Sequence, residues 1–231
     1  MVAISFWSDR LGNNMNRVLL LLSLFVVACS PYSKGPVLSM DDAERSFKPL
    51  VELMEVQPGM SIADVGAGSG VLSVVMSTQL KGCTLYIQDI DKKVLTQKNL
   101  DKVLDHYSEK MGTDLRQRND YRIVYGNVTS SNLPEREIDL IYSNATIHAF
   151  DNPDVMIRDL KTKLSGDGRI FIRDSFKEEG AGEVFCESKQ CARPLLSISE
   201  LMALMDDQGF ELVDQIPDLS GYPVFGFAVR D

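Results

Sequence analysis

The sequence predicts an α/β fold, with a mostly parallel β-sheet and helices packed on both of its faces. Three observations support this prediction. Short apolar segments alternate along the chain with amphipathic segments that are long enough to form helices. Several of the apolar segments run directly into glycine or polar residues, as buried strands do where they enter a turn. The alternation continues to the C-terminus without an internal repeat, so right-handed crossovers between parallel strands are expected.

Each element follows from this alternation in chain order. Apolar residues at intervals of three or four predict helices at residues 41–55, which Pro58 and Gly59 bring to an end, and then at residues 71–80, 92–111, 153–164 and 197–208. Short apolar segments predict strands at residues 61–65, 84–88, 121–125, 138–143, 168–173, 211–215 and 224–229. Ligands bind at the carboxyl ends of the strands in such sheets, so the residues that end each strand are the candidates for a site.

The composition excludes some classes of function. The chain has 231 residues with 24 Lys+Arg against 33 Asp+Glu, which gives a net charge of -9. Nucleic acid is therefore not an expected partner, because its phosphates are neutralised by basic side chains. The two histidines are His106 and His148, and the sequence has no HExxH or paired CxxC motif. No metal site is predicted on this basis, and nothing in the sequence fixes the oligomeric state.

The N-terminal sequence predicts export. Residues 18–28 form an apolar run preceded by Arg10 and Arg17, and the run is shorter than the ~20 residues that a membrane-spanning helix needs. It ends at Cys29 in a pattern that resembles the lipobox of bacterial lipoproteins, in which the cysteine is lipidated. In that family a residue other than Asp after the cysteine, here Ser30, accompanies outer-membrane sorting. A plain secretory signal and a buried N-terminal helix are the alternatives.

Three parts of the chain are expected as a result. Residues 1–28 are the signal peptide, and residues 1–14 are interpreted as an upstream extension because Met15 is a more typical start. Residues 29–39 are the lipidated cysteine and a tether, and residues 40–231 are the folded domain. The expected location is the bacterial cell envelope, with the domain anchored by lipid to the outer membrane and facing the periplasm.

A glycine-rich loop follows the first predicted strand, from Asp64 to Gly70. Glycines permit positive φ and let a ligand approach the backbone, and the next helix offers free N–H groups. A nucleotide-like ligand is expected there, although the same pattern is also a common turn. The dinucleotide fingerprint GxGxxG needs a third glycine where Val71 stands, which argues against NAD and an NAD-type reductase.

Polar residues end the next three predicted strands. Asp89 follows the second strand, and its carboxylate can accept both hydroxyls of a ribose while Ile90 lies against a purine face. Asn127 and Val128 follow the third strand, where the Asn127 side chain can bond an adenine amino group. Asn144 follows the fourth strand. Several such strand ends in one chain are more specific than any one of them.

These segments resemble the class I S-adenosylmethionine-dependent methyltransferases over roughly residues 40–230. ADVGAGSG at residues 63–70 is similar to the cofactor loop of the family, and IDLIYSNATIHAF at residues 138–150 is similar to its fourth-strand motif. LKTKLSGDGRIFIRD at residues 160–174 looks like the approach to the fifth strand of the family, with Asp167 in place of a glycine.

The resemblance implies a Rossmann-like, seven-stranded sheet whose last strand is antiparallel, and S-adenosyl-L-methionine as the cofactor. It assigns Asp89 to the ribose and Asn127 to adenine, a position where the family more often has Asp. The candidate cofactor-binding residues are Asp64, Gly66, Ala67, Gly68, Gly70, Asp89, Ile90, Asn127, Val128 and Asn144.

His148 is the candidate catalytic residue. It lies just past the fourth strand, where small-molecule methyltransferases often place a histidine near the methyl group, and imidazole is a suitable general base. The alternative is a packing role beside Phe150. Cys186 and Cys191 lie in an apparent insertion that covers the active site in this fold, and they can pair in an exported protein. Two exposed, reduced thiols are the alternative for this pair.

The predicted function is methyl transfer from S-adenosylmethionine to a small-molecule acceptor by an exported, lipid-anchored domain. An exported enzyme of this type has no obvious supply of the methyl donor. The alternative hypothesis is therefore a noncatalytic, nucleoside-binding module that retains the methyltransferase fold.

Overall fold

The structure, a computed structural model, describes residues 38–186, 191 and 193–230. The predictions of a signal peptide and of lipidation at Cys29 lie outside the described residues. None of the helices within these residues is long and apolar enough to cross a membrane.

Seven strands and five α-helices make up the described fold. The strands are β1 (Ser61–Val65), β2 (Thr84–Asp89), β3 (Asp120–Tyr125), β4 (Ile138–Asn144), β5 (Leu164–Arg173), β6 (Phe210–Leu219) and β7 (Tyr222–Val229). The helices are α1 (Met40–Leu53), α2 (Val71–Ser77), α3 (Gln97–Met111), α4 (Pro153–Lys163) and α5 (Ile198–Asp207). Two short 3₁₀ helices are η1 (Leu115–Gln117) and η2 (Ile147–Ala149).

The strands form one sheet in the order β3-β2-β1-β4-β5-β7-β6. The first five strands are parallel, and β7 lies antiparallel to both β5 and β6. The β6–β7 turn contains Ser220 and Gly221 with φ of 55° and 91°, as a tight hairpin that matches the twist of its strands requires. The predicted Rossmann-like, mostly parallel sheet with an antiparallel last strand is confirmed.

Alternation along the strands produces two cores, one on each face of the sheet. On β1, Ile62 belongs to the core that α1, α2 and α3 cover, while Ala63 and Val65 belong to the core that α4 and α5 cover. Helices therefore lie on both faces, as the sequence predicts. This leaves the carboxyl ends of the parallel strands as the edge on which a ligand can reach several elements.

Two predicted boundaries are wrong for local physical reasons. Helix α3 begins at Gln97 instead of residue 92, because the Thr96 side chain caps it by accepting from the Asn99 N–H at 3.1 Å. Strand β5 begins at Leu164 instead of residue 168, since Leu164 already pairs with Ile138 before the register shifts. A third element, α2, ends three residues earlier than predicted, at Ser77.

Candidate active site

The candidate active site lies at the carboxyl ends of β1, β2, β3, β4 and β5. The strand order reverses between β1 and β4, and the crevice at such a reversal is where open α/β sheets bind their ligands. The glycine-rich segment that follows β1, residues 64–70, is called the cofactor loop below.

The cofactor loop is fastened to the end of β2 by backbone hydrogen bonds. The N–H groups of Gly66 and Ala67 both donate to the Gln88 carbonyl at 2.9 Å, and the Gly68 N–H donates to Asp89 Oδ2 at 2.7 Å. Three consecutive N–H groups therefore depend on two consecutive residues of the neighbouring strand. This arrangement fixes the loop before any ligand arrives.

Two glycines of the cofactor loop are required for different reasons. Gly66 has φ of 78°, and a Cβ there would lie 2.2 Å from Thr146 Cγ2. Gly68 has φ of 57°, and a Cβ there would meet no atom within 4 Å. Gly66 is therefore needed for packing against the segment after β4, whereas the open space beside Gly68 is available to a ligand.

Asp89 has one end of its carboxylate on the cofactor loop and the other on its own turn. Its Oδ1 accepts from the Asp91 N–H at 2.8 Å, in addition to the bond from Gly68 to Oδ2. Partial burial raises the pKa of Asp89, and the backbone donors oppose this shift. Each carboxylate oxygen has two lone pairs, so acceptor capacity remains on both oxygens for the two hydroxyls of a ribose.

Asp64 is buried between β1 and α2, not on the open surface of the crevice. Its Oδ2 accepts from Ser73 Oγ at 2.6 Å, and the residue is 5% exposed. Burial raises its pKa to about 6, the Ser73 hydroxyl opposes the shift, and the charge of Asp89 adds to it. The carboxylate of Asp64 therefore lies behind the cofactor loop. Direct contact between Asp64 and a cofactor stays a prediction.

Two large apolar side chains stand exposed at this edge of the sheet. Ile90 is 52% exposed directly after β2, and Val128 is 49% exposed just after β3. Because β2 and β3 are neighbours in the sheet, the two side chains flank adjacent strand ends. Such a pair is suited to the two faces of a planar, apolar ring.

Asn127 makes different hydrogen bonds from those expected. Its Oδ1 accepts from the Thr129 N–H at 2.9 Å, the Ser130 N–H at 3.0 Å and the Thr129 hydroxyl at 2.9 Å. The amide oxygen therefore stabilises the turn after β3 and is not directed at an adenine amino group. The amide nitrogen remains as the group that a ring nitrogen of adenine can engage.

Asn144 also has a partner within the protein. Its Oδ1 accepts from Arg173 Nη1 at 2.9 Å, and the same guanidinium donates to the Leu219 carbonyl at 2.9 Å. Arg173 thus joins the ends of β4 and β5 to the β6–β7 hairpin. The nearby Ser143 Oγ is buried without a hydrogen-bond partner in the described part of the chain.

His148 forms a buried pair with Asp174, the residue directly after β5. His148 Nδ1 lies 2.6 Å from Asp174 Oδ1, and the two residues are 7% and 1% exposed. Asp174 Oδ1 also accepts from the Ser175 N–H at 2.7 Å. A carboxylate only accepts hydrogen bonds, so in the neutral imidazole this contact places the proton on Nδ1 and leaves the lone pair of Nε2 for a ligand.

The segment between β5 and α5 reaches this histidine through a disulfide. Cys186 and Cys191 are bonded to each other, with their Cα atoms 5.9 Å apart. A nitrogen of His148 and the two sulfurs all lie within 4.8 Å of one another. The two cysteines therefore lie beside the candidate catalytic residue.

Sequence reasoning missed three residues of this site. Asp174 directly follows β5, so the rule that selected Asp89 and Asn144 at strand ends would also have selected it. Thr146 and Gln88 carry no pattern of their own, because their importance comes from contacts with Gly66. The proximity of His148 to the two cysteines was also missed, because these residues are far apart in the sequence and their spacing does not predict a contact.

The fold and this edge define a class of proteins, those with a Rossmann-like sheet and a glycine-rich loop and polar residues at the strand ends beside its switch point. A family model described as a methyltransferase domain matches residues 42–215. The chain belongs to this family and is a class I S-adenosylmethionine-dependent methyltransferase domain. A search of curated proteins finds no match.

Solved structures with the same fold include enzymes of different activities. A methyltransferase dependent on S-adenosylmethionine from Aquifex aeolicus superposes with a TM-score of 0.57 at 16% identity, over 83% of this chain and 98% of that one. A second, from Methanosarcina mazei, gives 0.58 at 15% identity, over 79% and 97%. The cyclase SpnF gives 0.60 at 16% identity, over 92% and 93%. At these identities the likeness concerns the fold alone.

The residues present fit S-adenosyl-L-methionine, the cofactor of the family. The space beside Gly68 is open, Asp89 retains acceptor capacity, and Ile90 and Val128 expose apolar surface on adjacent strand ends. These features suit the backbone approach, the ribose and the adenine ring of such a molecule respectively. The Asn127 amide nitrogen adds a donor at the same edge.

Proposed function

We propose that this domain transfers the methyl group of S-adenosylmethionine to a small-molecule acceptor that His148 deprotonates. The observation that carries the proposal is the buried His148–Asp174 pair, with Nδ1 and Oδ1 2.6 Å apart. A carboxylate that fixes the tautomer and orientation of an imidazole, leaving Nε2 as the base, is the arrangement used in acid–base catalysis.

The position of His148 supports its assignment as the base. Thr146 touches Gly66 of the cofactor loop, with Oγ1 3.4 Å from the Gly66 carbonyl. His148 follows two residues later in η2, and two residues span at most about 7 Å of backbone. The base is therefore held close to the loop that receives the cofactor.

The chemistry then divides between the cofactor and the chain. When bound, S-adenosylmethionine supplies a methyl group activated by attachment to a sulfonium sulfur. Asp89 would hold the ribose, Ile90 and Val128 would contact the adenine ring, and His148 Nε2 would take the proton of the acceptor. The main contribution of the protein is orientation of the two reactants.

An acceptor with an acidic X–H group, such as a thiol or a phenol, suits this site. A base is useful only where the nucleophilic atom carries a proton that must leave. Cys186 and Cys191 lie beside His148, which favours a small acceptor over a macromolecule. The net charge of -9 also disfavours nucleic acid.

The proposal is tested by binding first and then by transfer. Calorimetric titration of the purified full chain with S-adenosylmethionine, S-adenosylhomocysteine and NAD should show binding of the first two and not of NAD. Transfer of labelled methyl to a panel of thiols and phenols follows. His148→Gln should lower the rate by about 10²- to 10⁴-fold with cofactor affinity unchanged.

His106 provides a matched control, because it is the other histidine and lies in α3 away from the crevice. His106→Gln should retain the full rate. Absence of cofactor binding would contradict the proposal as a whole. Binding without transfer to any acceptor would support the noncatalytic module, and full activity in His148→Gln would remove His148 from the mechanism.

We further propose that the domain is exported and anchored by a lipid on Cys29, facing the periplasm from the outer membrane. The apolar run at residues 18–28, its basic flank and Ser30 support this proposal. A disulfide between Cys186 and Cys191 is compatible with an oxidising compartment.

Cell fractionation and intact mass test the location. The wild-type chain should fractionate with membranes, begin at Cys29 and carry added lipid mass. Cys29→Ala should leave an unprocessed precursor without that mass. Soluble cytoplasmic protein with residues 1–28 still attached would overturn the export proposal and would also remove the difficulty of the donor supply.

A further inference from the structure

Three potential metal ligands meet at His148. The surroundings of His148, where the proposed function places the methyl acceptor, are called the acceptor side below. A nitrogen of His148 and the sulfurs of Cys186 and Cys191 lie within 4.8 Å of one another. The histidine comes from η2 after β4, and the two cysteines come from the β5–α5 segment. Two cysteines and one histidine are a known set of three protein ligands for zinc, with the fourth position left open.

We propose that Cys186, Cys191 and His148 bind one zinc ion when the Cys186–Cys191 disulfide is reduced. Thiolate and imidazole ligands select zinc over magnesium or calcium, which prefer oxygen. Four residues separate the two cysteines, a spacing that falls within the range of zinc-binding cysteine pairs.

The contact between His148 and Asp174 supports this assignment independently of the cysteines. A histidine that binds a metal almost always donates its other ring N–H to a carboxylate or carbonyl. Asp174 Oδ1 lies 2.6 Å from His148 Nδ1, and the carboxylate is fixed by the Ser175 N–H at 2.7 Å. Nε2 is therefore the ring nitrogen whose lone pair is left for the metal.

The movement needed to form the site is small. With Zn–S near 2.3 Å and Zn–N near 2.0–2.1 Å, the ligand atoms of a tetrahedral site are about 3.5–3.8 Å apart. The sulfurs must separate from bonding distance, and the histidine nitrogen must approach by about 1 Å from the 4.8 Å limit. Both changes concern side chains and the segment that carries the cysteines.

The redox step requires a dithiol reductant. The dithiol gives two electrons and two protons to the Cys186–Cys191 disulfide, whose S–S bond breaks to form two cysteine thiols, and the dithiol itself closes to a cyclic disulfide. Binding of Zn²⁺ then releases the two thiol protons, because the ligands are thiolates. The same two sulfurs thus serve either as a disulfide or as metal ligands.

Occupation of the site would alter His148. A lone pair of Nε2 that is donated to zinc is no longer available to take a proton from an acceptor, a consequence that rests on the proposed function. The metal site itself does not rest on it, since binding of the ion needs neither cofactor nor acceptor.

Cobalt titration tests the proposal without any activity measurement. The full chain in detergent is reduced with dithiothreitol, freed of reductant without oxygen, and titrated with Co²⁺ alone. One Co²⁺ per chain should bind, with thiolate-to-cobalt charge-transfer absorption and the visible bands of tetrahedral cobalt, and Zn²⁺ should displace it. The oxidised protein should give neither signal.

Variants separate the site from other cysteines. The chain has four cysteines, so the double variant Cys29→Ser and Cys83→Ser keeps only the proposed pair and should bind cobalt normally. Cys191→Ser should abolish the charge-transfer band. Asp174→Asn, which is nearly isosteric, should weaken binding by about 10- to 100-fold, with circular dichroism to show that it folds.

Two results would overturn the proposal. One is a reduced wild-type chain that binds no cobalt or binds it without thiolate absorption. The other is a Cys191→Ser variant that binds as well as the wild type. Either result leaves the methyl-transfer proposal intact, and failure of methyl transfer leaves the cobalt result intact.

Discussion

The cofactor side and the acceptor side of the crevice are held together by different kinds of contact. On the cofactor side, the backbone of residues 66–68 bonds to Gln88 and Asp89 on the strand next to it. On the acceptor side, the Asp174 carboxylate holds the His148 imidazole through one side-chain hydrogen bond, and the Cys186–Cys191 disulfide lies beside the imidazole. The cofactor side depends on backbone conformations that favour glycine, so few other residues can replace Gly66 and Gly68. The acceptor side depends instead on the functional groups of particular side chains.

Substitutions on the two sides should therefore have different effects. On the cofactor side, enlarging a glycine should damage folding, since the backbone itself is the structure. On the acceptor side, conservative changes should spare the fold and alter chemistry.

Gly66→Ala should lower the free energy of unfolding by roughly 2–5 kcal/mol. The new Cβ would lie 2.2 Å from Thr146 Cγ2 at a φ of 78°, so overpacking and backbone strain add. Urea denaturation of the full chain measures the loss. Gly68→Ala, at open space and φ of 57°, should lose only about 1–2 kcal/mol. Equal losses for the two variants would contradict the assigned roles of the two glycines.

Asp64 should make the protein less stable as pH rises. Its pKa is raised from 3.8 to about 6 in the folded state, so the folded state holds a proton that the unfolded state has already lost. The stabilising contribution of the Asp64 proton is therefore complete below about pH 3.8 and is lost as pH rises through about 6, a loss of about 3 kcal/mol. Asp64→Asn should lack this part of the pH dependence in urea denaturation.

A matched variant shows whether Asp64 itself titrates. The Ser73 hydroxyl opposes the shift, so Ser73→Ala should move the pKa of Asp64 further upward and carry the loss of stability to higher pH. Carboxyl NMR of both proteins measures the pKa directly. An Asp64 pKa that stays near 3.8 would remove burial as the dominant influence.

Asp89→Ala should weaken S-adenosylmethionine binding by about tenfold to a hundredfold, since hydrogen bonds to a charged group contribute about 1.5–3 kcal/mol. Calorimetry measures the change. Asp91→Asn removes a nearby charge and leaves the Asp89 carboxylate and its bond from the Asp91 N–H in place, so it should bind within about twofold of wild type. Unchanged affinity in Asp89→Ala would contradict the ribose assignment.

Ile90→Ala and Val128→Ala should each weaken cofactor binding by only about three- to tenfold, because each loses part of one apolar contact. Neither should destabilise the fold, as both side chains are about half exposed. Val213→Ala is the control, since Val213 on β6 is similarly exposed at 44% and lies on the edge strand. If all three variants bind alike, the two residues do not contact adenine.

The sequence was informative about the secondary-structure elements and about most of the residues on the cofactor side, which lie close together along the chain or directly after a strand. Strand and helix alternation predicts all seven strands, and the glycines and Asp89 mark the cofactor side. The start of α3 was predicted too early because the helical spacing extends upstream of its cap, Thr96. Residues 164–167 of β5 were missed because Gly166 and Asp167 are not typical of a strand.

The acceptor side was less predictable because its contacts join distant parts of the chain. His148 was selected by position, but its partner Asp174 lies 26 residues further on.

On the cofactor side, the Asn127 side chain was expected to bond adenine, but its oxygen accepts hydrogen bonds from neighbouring donors of its own turn. A side chain that competes between a turn and a ligand can be assigned only when the turn is known.

The contact between Gly66 and Thr146 also constrains how this protein can change over evolutionary time. Because the methyl of Thr146 occupies the place of a Cβ on residue 66, the two positions cannot drift separately. A lineage that first shortens residue 146 can later accept alanine at residue 66, at the cost of strain alone. The reverse order passes through an intermediate that folds poorly, so these two positions should vary together among homologues.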